Sequence, residues 1–329
     1  MTDLIDGFNR IIDYLRISIT DRCNLRCRYC MPEEGIKLIP HDDLLTFEEI
    51  TRVVRVFSKL GISKVRLTGG EPLVRRGVDD LIHYLNRIPG IHDLSLTTNG
   101  VLLDSFAIPL FEAGLRRINI SLDSLRPERF HHITRRDSFA RVWSGIEKAL
   151  ELGFHPVKLN VVVIKGLNDD EIVDLARLTM EIPLHVRFIE YMPSGEGRAW
   201  KADEVLTIEQ IRDEIARLGP LSKVPSEGNN GPATMYHWKD ARGQIGLISP
   251  VSRHFCERCN RLRLTSDGKL RLCLFSDEEI DLRGYLRDGC DDEKLKELLE
   301  LALLKKPQGH VINTHYFKKC QRNMSSIGG

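Results

Sequence analysis

The amino-acid sequence predicts an α/β protein, an incomplete (β/α)6 TIM-like barrel followed by a smaller C-terminal region. Two observations predict this fold. Short strand-like runs alternate with helical segments over residues 15–193, and one face of each strand is polar. A chain of 329 residues suits two domains or a barrel with an appendage. We expect a core over residues 5–200 and a C-terminal region over residues 201–329.

The composition excludes several classes of protein. Lys and Arg number 48 against 47 Asp and Glu, which argues against a dedicated nucleic-acid-binding protein. The chain is 42% hydrophobic, so it can bury a core. Its uncharged apolar stretches are far shorter than the roughly 20 residues that span a bilayer, and its N-terminus lacks the basic region of a signal peptide. We expect a cytoplasmic protein that binds neither membrane nor nucleic acid.

Six βα units account for the first part of the chain. The first helical segment, residues 46–61, opens with Thr46, has Glu49 three residues on as in a capping box, and ends at Gly61. Repeated βα units predict a parallel sheet, and six are too few to close an eight-stranded barrel. We therefore expect the C-terminal part to cover an open side. The strand-like runs are 15–20, 64–70, 94–100, 117–123, 157–166 and 185–192, and the other helical segments are 78–88, 104–114, 138–152 and 169–180.

The strands are apolar on one parity and polar on the other. In the first run Leu15 and Ile17 alternate with Arg16 and Ser18, and the later runs repeat the pattern. Buried parallel strands are normally apolar on both faces. The pattern therefore favours a curved sheet with helices outside and a polar lumen that holds a ligand. A sheet with one solvated face is the alternative.

The C-terminal region follows a different pattern. Residues 194–204 and 226–233 are typical of loops, and residues 207–219 of a helix. Residues 266–270, with the sequence SDGKL, predict a hairpin turn. A polar helix is expected around residues 291–305.

The first cysteine group is Cys23, Cys27 and Cys30, in the loop after the first strand. Three thiolates are one ligand short of a structural zinc site, whereas a four-iron cluster held by three cysteines leaves one iron open. Loops at this end of a barrel usually form the active site. The alternatives are a zinc site with a distant fourth ligand such as His41, and three thiols without metal.

The second group is Cys256, Cys259 and Cys273, and the predicted hairpin would fold Cys273 back towards the other two. A second cluster with one open iron, on which a substrate binds, is one interpretation. A zinc knuckle completed by His254 or Cys290 is the other. With the basic residues around it, such a knuckle would suggest a nucleic-acid module.

The motifs together resemble a known family. The first cysteine motif and the TGGEP sequence of residues 68–72 are similar to those of the radical S-adenosylmethionine (SAM) superfamily. The sequences DRCNLRCRYCMP, RLTGGEP, LTTNG, INISLD, RFIEYM, FCERCNRLRLTSDGKLRLCLF and the terminal SSIGG closely resemble the GTP 3′,8-cyclase family, also called molybdenum cofactor biosynthesis protein A. The resemblance covers residues 14–275 and the last four residues. Residues 290–320 carry nothing diagnostic.

The resemblance implies a reaction. SAM would bind the open iron of the first [4Fe–4S] cluster, and one electron would cleave it to a 5′-deoxyadenosyl radical. This radical would take hydrogen from C3′ of GTP, and the carbon radical would attack C8. The product would be (8S)-3′,8-cyclo-7,8-dihydroguanosine 5′-triphosphate, in the first step of molybdenum cofactor biosynthesis. An electron donor and a downstream cyclic pyranopterin monophosphate synthase are the implied partners, and a monomer or a homodimer is expected.

The resemblance also implies the site residues, with no catalytic side chain beyond the clusters and cofactor. For GTP, a lumen lined with Arg and Lys suits a triphosphate. The ligands of cluster 1 would be Cys23, Cys27 and Cys30, and those of cluster 2 Cys256, Cys259 and Cys273. The SAM positions are Tyr29, Gly70, Ser121 and Met192. The GTP positions are Arg16, Arg66, Thr97, Lys158, Arg261, Leu262 and Arg263.

Three further expectations complete the sequence analysis. Arg187 is left out of the site. Glu190 and Met192 alternate with it along the strand-like run 185–192, so their side chains are expected on the opposite face from Arg187. The terminal Gly328–Gly329 is expected to enter the active site and help to place an arginine, with a frayed tail as the alternative. The competing enzyme class is another radical SAM protein with an auxiliary cluster, such as a peptide maturase, although those tend to carry more C-terminal cysteines.

Overall fold

The computed structural model describes residues 4–193, 200–225, 231–312 and 320–328. The described residues contain one twelve-stranded sheet and ten α-helices. The strands are β1 Tyr14–Ser18, β2 Lys64–Thr68, β3 Asp93–Thr98, β4 Arg117–Ser121, β5 Val157–Val163, β6 Leu184–Glu190, β7 Ser222–Lys223, β8 Thr234–His237, β9 Gln244–Ile248, β10 Arg261–Leu264, β11 Lys269–Arg271 and β12 Glu279–Asp281. The helices are α1 Phe47–Lys59, α2 Val78–Asn86, α3 Leu103–Glu112, α4 Pro127–Thr134, α5 Phe139–Glu151, α6 Ile172–Glu181, α7 Ile208–Ala216, α8 Leu282–Arg287, α9 Asp292–Leu304 and α10 Met324–Ile327.

The six predicted βα units all form. Strands β1 to β6 are parallel and adjacent in chain order. The C-terminal part then extends the sheet at both sides, with β9 parallel to β6 and β10 parallel to β1. Antiparallel strands β8 and β7 lie beyond β9, and β11 and β12 lie beyond β10. Strands from both sides of residue 200 therefore share one sheet, and the domain boundary at that residue stays a prediction.

The apolar strand parity forms the core. Leu15, Ile17, Val65 and Leu67 are fully buried and belong to one hydrophobic cluster with the inward faces of the helices. Val53 and Phe57 of α1 are typical of those faces, since both are fully buried on one side of an amphipathic helix. The polar parity is thereby directed to the opposite face of the sheet.

The helix starts follow local chemistry where the sequence carries it. Thr46 Oγ1 accepts a hydrogen bond from Glu49 N–H, and the Glu49 carboxylate accepts one from Thr46 N–H, which is the predicted capping box. Three short helices, α4, α8 and α10, were not predicted from the sequence. They are only four to eight residues long, too short for a clear apolar period. Among the described helices, none has the length and apolar character needed to cross a bilayer.

The predicted hairpin of residues 266–270 joins β10 to β11, with Gly268 at φ 79° in its turn. The fully buried Arg271 pairs with Glu279 of β12. Arg322, which precedes α10, binds Glu279 as well and places two guanidinium nitrogens 2.9 Å from the carboxylate of Asp267. The end of the chain is thus fastened to the hairpin.

Candidate active site

The polar parity of the parallel strands lines a cavity of about 340 Å³. Six of the predicted GTP positions contribute to its wall: Arg16, Arg66, Thr97, Lys158, Arg261 and Arg263. The register explains why these residues meet. Arg16 lies directly between Arg263 of β10 and Arg66 of β2, so three guanidinium groups occupy one level of the sheet.

Cations dominate this cavity. Its lining has eight cationic side chains and two acidic ones, Asp93 and Asp123, and Asp93 is paired with Arg117 at 2.7 Å. The eight cations are Arg16, Lys64, Arg66, Arg117, Lys158, Arg187, Arg261 and Arg263. So many basic side chains in one concave space fit an anionic ligand.

Burial and mutual repulsion shift the pKa values of these cations downwards. Desolvation, followed by Arg187, Arg117 and Arg66, lowers the pKa of Lys158 to about 6. Burial and then Arg66 lower the pKa of Arg187 to about 9, and burial and then Arg261 lower that of Arg263 to about 10. The positive charges therefore repel one another in the free protein, and a bound polyanion would reduce that repulsion.

Several buried polar atoms of the cavity have no hydrogen-bond partner. They include Arg16 Nε, Arg187 Nε and Thr97 Oγ1. Unsatisfied buried polar atoms are rare, and each costs stability unless a ligand or water satisfies it. Two donors and a hydroxyl in one cavity fit a phosphate-rich ligand.

The first cysteine triplet follows β1. The Cys23 thiol accepts from Leu25 N–H at 3.4 Å and from the Asn99 amide at 3.8 Å. Burial and then Glu71 raise the pKa of Cys23 to about 11, and burial and then Cys23 raise that of Cys30 to about 12. The thiols thus lie close enough to repel one another as thiolates. Metal coordination would stabilise the thiolate form and release the protons.

Three of the predicted SAM positions, Tyr29, Ser121 and Met192, line the same cavity. The Tyr29 hydroxyl donates to Asp123 Oδ2 at 2.6 Å, and Asp123 Oδ1 accepts from Val162 N–H at 2.8 Å. Asp123 was not predicted as a site residue. The signal was present, because Asp123 continues the polar alternation of Asn119 and Ser121 two residues past the end of β4.

Gly70, the fourth SAM position, is held by a close backbone contact. A Cβ atom at Gly70 would lie 2.4 Å from the carbonyl oxygen of Arg22, and Gly70 N–H donates to Thr20 O at 2.7 Å. The glycine is therefore required where the loop after β2 meets the loop of the first cysteines. The neighbouring Glu71 is fully buried and accepts from Thr98 Oγ1 and Asn99 N–H, which fixes both loops to β3.

All three cysteines of the second triplet line the cavity, as does Cys30 of the first. Burial raises the pKa of Cys259, but Arg261 and Lys306 outweigh it and lower the value to about 7. Cys256 interacts with Cys273 and Cys259. The hairpin therefore brings Cys273 to the pair, as predicted. Among the described residues, no three His, Cys, Asp or Glu side chains are arranged to hold a single metal ion.

The two triplets lie at opposite ends of the strands. The first follows β1, and Cys256 and Cys259 precede β10, the parallel neighbour of β1. A strand of five residues separates ends by roughly 16 Å. The cationic side chains of β1, β2 and β10 occupy the space between the triplets.

Two predictions need correction or refinement. Arg187 lines the cavity, although the prediction from sequence left it out of the site. Within β6, Arg187 and Ile189 face the cavity, whereas Glu190 on the other side does not, so Glu190 does not mark the face that lines the site. Met192 lies beyond the end of the strand. Leu262 is fully buried in the core on the opposite face of β10, so only its backbone is directed near the cavity.

The end of the chain reaches the cavity wall. Arg263 donates to the carbonyl oxygen of Gly328, and Ser18 Oγ donates to Ser325 O at 3.1 Å. Gly328 has a φ of 81°, and a Cβ atom there would lie 2.4 Å from Thr68 Oγ1. Gly328 thus contacts a site arginine, as expected, whereas Gly329 lies outside the described residues.

Comparison with known proteins decides the family. The model of the radical SAM superfamily matches residues 17–179, and the Molybdenum Cofactor Synthesis C model matches residues 184–312. The curated protein from Pelotomaculum thermopropionicum named GTP 3′,8-cyclase is 50% identical over 98% of this chain and 99% of its own length. The protein of that name from Moorella thermoacetica is 51% identical over 98% of this chain and 99% of its own. The chain belongs to the GTP 3′,8-cyclase family.

Solved structures support the fold of this family member. The structure of SuiB from Streptococcus suis is similar with a TM-score of 0.60, at 14% identity, over 92% of this chain and 68% of that one. SuiB bound to S-adenosylmethionine gives the same TM-score at 16% identity, over 96% and 79% of the two chains. At these identities the likeness shows a shared radical SAM α/β fold. The high identity to the cyclases favours the cyclase over a peptide maturase or a zinc-dependent nucleic-acid-binding protein.

Proposed function

We propose that this protein uses SAM to convert GTP to (8S)-3′,8-cyclo-7,8-dihydroguanosine 5′-triphosphate, the first step of molybdenum cofactor biosynthesis. One observation carries the proposal: a cationic cavity with buried, unsatisfied polar atoms lies between two cysteine triplets. Membership of the cyclase family supplies the chemistry of the substrate.

The thiols fit two [4Fe–4S] clusters by their number, spacing and environment. Cys23, Cys27 and Cys30 would hold the first, and Cys256, Cys259 and Cys273 the second. Each set has three buried or half-buried thiols that repel one another as thiolates, and each is one short of a closed site. When bound, the first cluster and SAM supply a 5′-deoxyadenosyl radical.

The side chains of the chain itself bind and orient the two substrates. Tyr29, held by Asp123, would contact SAM beside the first cluster together with Ser121 and Met192, and Gly70 would contact it from the adjoining loop. The cations of the lumen would bind the triphosphate, which leaves the guanine directed at the second triplet. The GTP ligands we propose are Arg16, Arg66, Thr97, Lys158, Arg187, Arg261, Arg263 and the backbone of Leu262.

Exclusion of water is the other contribution of the protein. The radical must meet C3′ of the ribose before it meets solvent or a side chain. We propose that the sheet curves into an incomplete barrel, with residues 5–200 forming its core and residues 201–329 closing its open side. The strands of this C-terminal part adjoin both β1 and β6, and its chain end packs on Thr68.

Anaerobic turnover tests the proposal. The reconstituted protein is incubated with SAM, a reductant and GTP, and 5′-deoxyadenosine and loss of GTP are measured together. We expect GTP loss to match the 5′-deoxyadenosine formed, and ATP in place of GTP to be left unconsumed with 5′-deoxyadenosine at its substrate-free level. Cys273→Ala is a matched variant that should keep SAM cleavage but lose GTP consumption. SAM cleavage that does not respond to GTP would refute the substrate.

Metal analysis tests the cofactors separately. Two clusters predict about eight irons and eight sulfides per chain. Zinc without sulfide would refute both clusters and the radical chemistry with them. The downstream synthase, the electron donor and the choice between monomer and homodimer stay predictions.

A further inference from the structure

Residues 306–310, which follow α9, enclose the second cysteine triplet. Lys306 is only 2% exposed. Its Nζ donates to Leu272 O at 2.5 Å and to Arg261 O at 2.8 Å, and lies 3.9 Å from Cys259 Sγ. A buried lysine in such contacts needs an explanation, because lysine is almost never fully buried unless paired.

The three acceptors around Lys306 match a protonated amine. An ammonium group has three N–H donors, and a neutral amine has two. Two carbonyl oxygens and one sulfur use all three donors. The positive charge of Lys306 is therefore placed at the thiol of a cluster ligand.

The two carbonyl oxygens belong to the backbone that carries the ligands. Leu272 directly precedes Cys273, and Arg261 begins β10 two residues after Cys259. One ammonium group thus joins the two segments, whose separation must be kept for their thiols to bind the same cluster.

A second buried cation, Arg10, joins the backbone of Cys256 to the segment that follows Lys306. Arg10, 7% exposed, donates through Nη1 to Cys256 O and to Gln308 O, both at 2.8 Å, and through Nη2 to Pro307 O at 2.7 Å. Asp6 binds the other side of this guanidinium group at 2.6 Å. The segment that follows Lys306 is thereby fastened to the ligand that Lys306 does not reach.

The same segment touches the Cys256 side chain. A Cβ atom at Gly309 would lie 3.0 Å from Cys256 Cβ and 3.4 Å from its Sγ. The segment therefore fits closely around the Cys256 side chain.

We propose that Lys306 is a positioning residue of the second cluster, which joins the backbones of Cys259 and Cys273 and sets the electrostatic potential at the cluster sulfur. This inference rests on the second cluster of the proposed function. A nearby cation favours the reduced, more negative state of an iron–sulfur cluster, and hydrogen bonds to its sulfurs do the same. Lys306 therefore raises the midpoint potential of this cluster.

The test compares Lys306→Met with Lys306→Arg and with the wild-type chain. Methionine keeps the length of the stem but removes the charge and the donors, whereas arginine keeps both. Lys305→Met is the matched control, because Lys305 is exposed and adjacent. Iron and sulfide are counted in anaerobically reconstituted full-length protein. An electron-paramagnetic-resonance titration then gives the midpoint potentials, and the wave that GTP shifts is the second cluster.

We expect Lys306→Met either to lose about four of about eight irons or to keep them with the second wave moved to a more negative potential. Lys306→Arg should restore most of the iron content, and Lys305→Met should match the wild type. Circular dichroism checks that each variant is folded. If Lys306→Met misfolds, Lys306→Gln replaces it, because glutamine keeps two N–H donors but removes the charge, and the second wave should again move to a more negative potential.

Two results would overturn the inference, and they are distinguishable. A wild-type chain with only four irons would refute the second cluster of the proposed function and the role of Lys306 with it. The role of Lys306 alone would be refuted by a different result. In that case the wild type and Lys306→Met would both hold eight irons, and the midpoint potential of the second cluster would be the same in both.

Discussion

Replacing Lys158 with methionine should weaken GTP binding and at the same time stabilise the free protein. Lys158 is 7% exposed, and burial with the charges of Arg187, Arg117 and Arg66 lowers its pKa to about 6 from an ordinary value of 10.5. A hydrogen bond between a charged donor and a phosphate contributes about 1.5–3 kcal/mol. We expect the Kd for GTP in Lys158→Met to rise by about 10- to 150-fold.

The gain in stability follows from the same shift. Each unit of pKa is equivalent to about 1.4 kcal/mol, so keeping Lys158 mostly neutral at pH 7 costs up to about 5 kcal/mol. The unfolded chain binds the proton between pH 6 and pH 10.5 and the folded chain does not, so this cost falls as the pH rises towards 10.5. Urea unfolding should show Lys158→Met to be more stable than wild type at pH 7, with a smaller difference at pH 9.

Proton uptake on GTP binding measures the ionisation directly. At pH 7 about nine-tenths of the free protein has a neutral Lys158. The triphosphate should restore the charge, so wild type should take up close to one more proton than Lys158→Met. Calorimetric titration in buffers with different ionisation enthalpies gives this number. GTP releases or takes up its own protons in both proteins, and the difference between them isolates Lys158.

The control is Lys165→Met, which removes an exposed lysine two residues after β5. Its proton uptake, Kd and stability should match the wild type. Equal proton uptake in wild type and Lys158→Met would refute the neutral state of Lys158 in the free protein. If Lys158→Met is less stable than the wild type at pH 7, the view that burial and repulsion from neighbouring arginines make Lys158 destabilising would be wrong.

Three further predictions concern the rest of the site. Arg187→Met should raise the KM for GTP by about 10-fold or more with little change in the KM for SAM, because Arg187 lies among the cations of the lumen. Removal of residues 328–329 should abolish GTP turnover while the iron content stays at the wild-type value. Gly328→Ala should lower turnover, because its Cβ would collide with Thr68. Wild-type rates in both variants would contradict this role of the tail. Glu190→Gln should lower the free energy of unfolding by about 1–3 kcal/mol in urea titrations. The buried carboxylate accepts from the N–H groups of Ile208, Val251 and Ser252, and an amide would direct its NH₂ at one of these donors.

Local patterns predicted the six N-terminal βα units and the cationic face of the strands, whereas the SAM and GTP positions came from the family resemblance. Alternation placed Arg16, Arg66 and Lys158 on one face, since side-chain direction along a strand depends only on parity. For Arg187 the rule was applied from the wrong reference residue, because Glu190 was taken to mark the lumen face. In the structure Arg187 lines the cavity, and the Glu190 carboxylate on the other side of β6 accepts from backbone N–H groups outside the cavity lining. Parity therefore groups the side chains of a strand but does not by itself say which face lines the site.

Long-range contacts had no signal in the sequence. Nothing near Arg261 shows that β10 pairs with β1, and nothing near Gln244 shows that β9 pairs with β6. Lys306 looks like an ordinary lysine at the end of a polar helix. Its partners lie 34 to 47 residues away along the chain, and only tertiary structure brings them to it. Leu262 matches a GTP-binding position of the family, yet its side chain is buried in the hydrophobic core. Matching a family position therefore does not show that the side chain itself contacts the ligand.

The pairing of β1 with β10 has a consequence for synthesis of the protein on the ribosome. Asn260 Nδ2 donates to Asp13 Oδ1 at 2.5 Å across 247 residues of chain. At about 5–20 residues per second, β1 waits roughly 12–50 s for this neighbour. During that interval its outer edge has unpaired N–H and C=O groups, which other chains can pair with. Nascent chains of this protein should therefore depend on chaperones, and the second cysteine triplet cannot be assembled until the ribosome has made almost the whole chain.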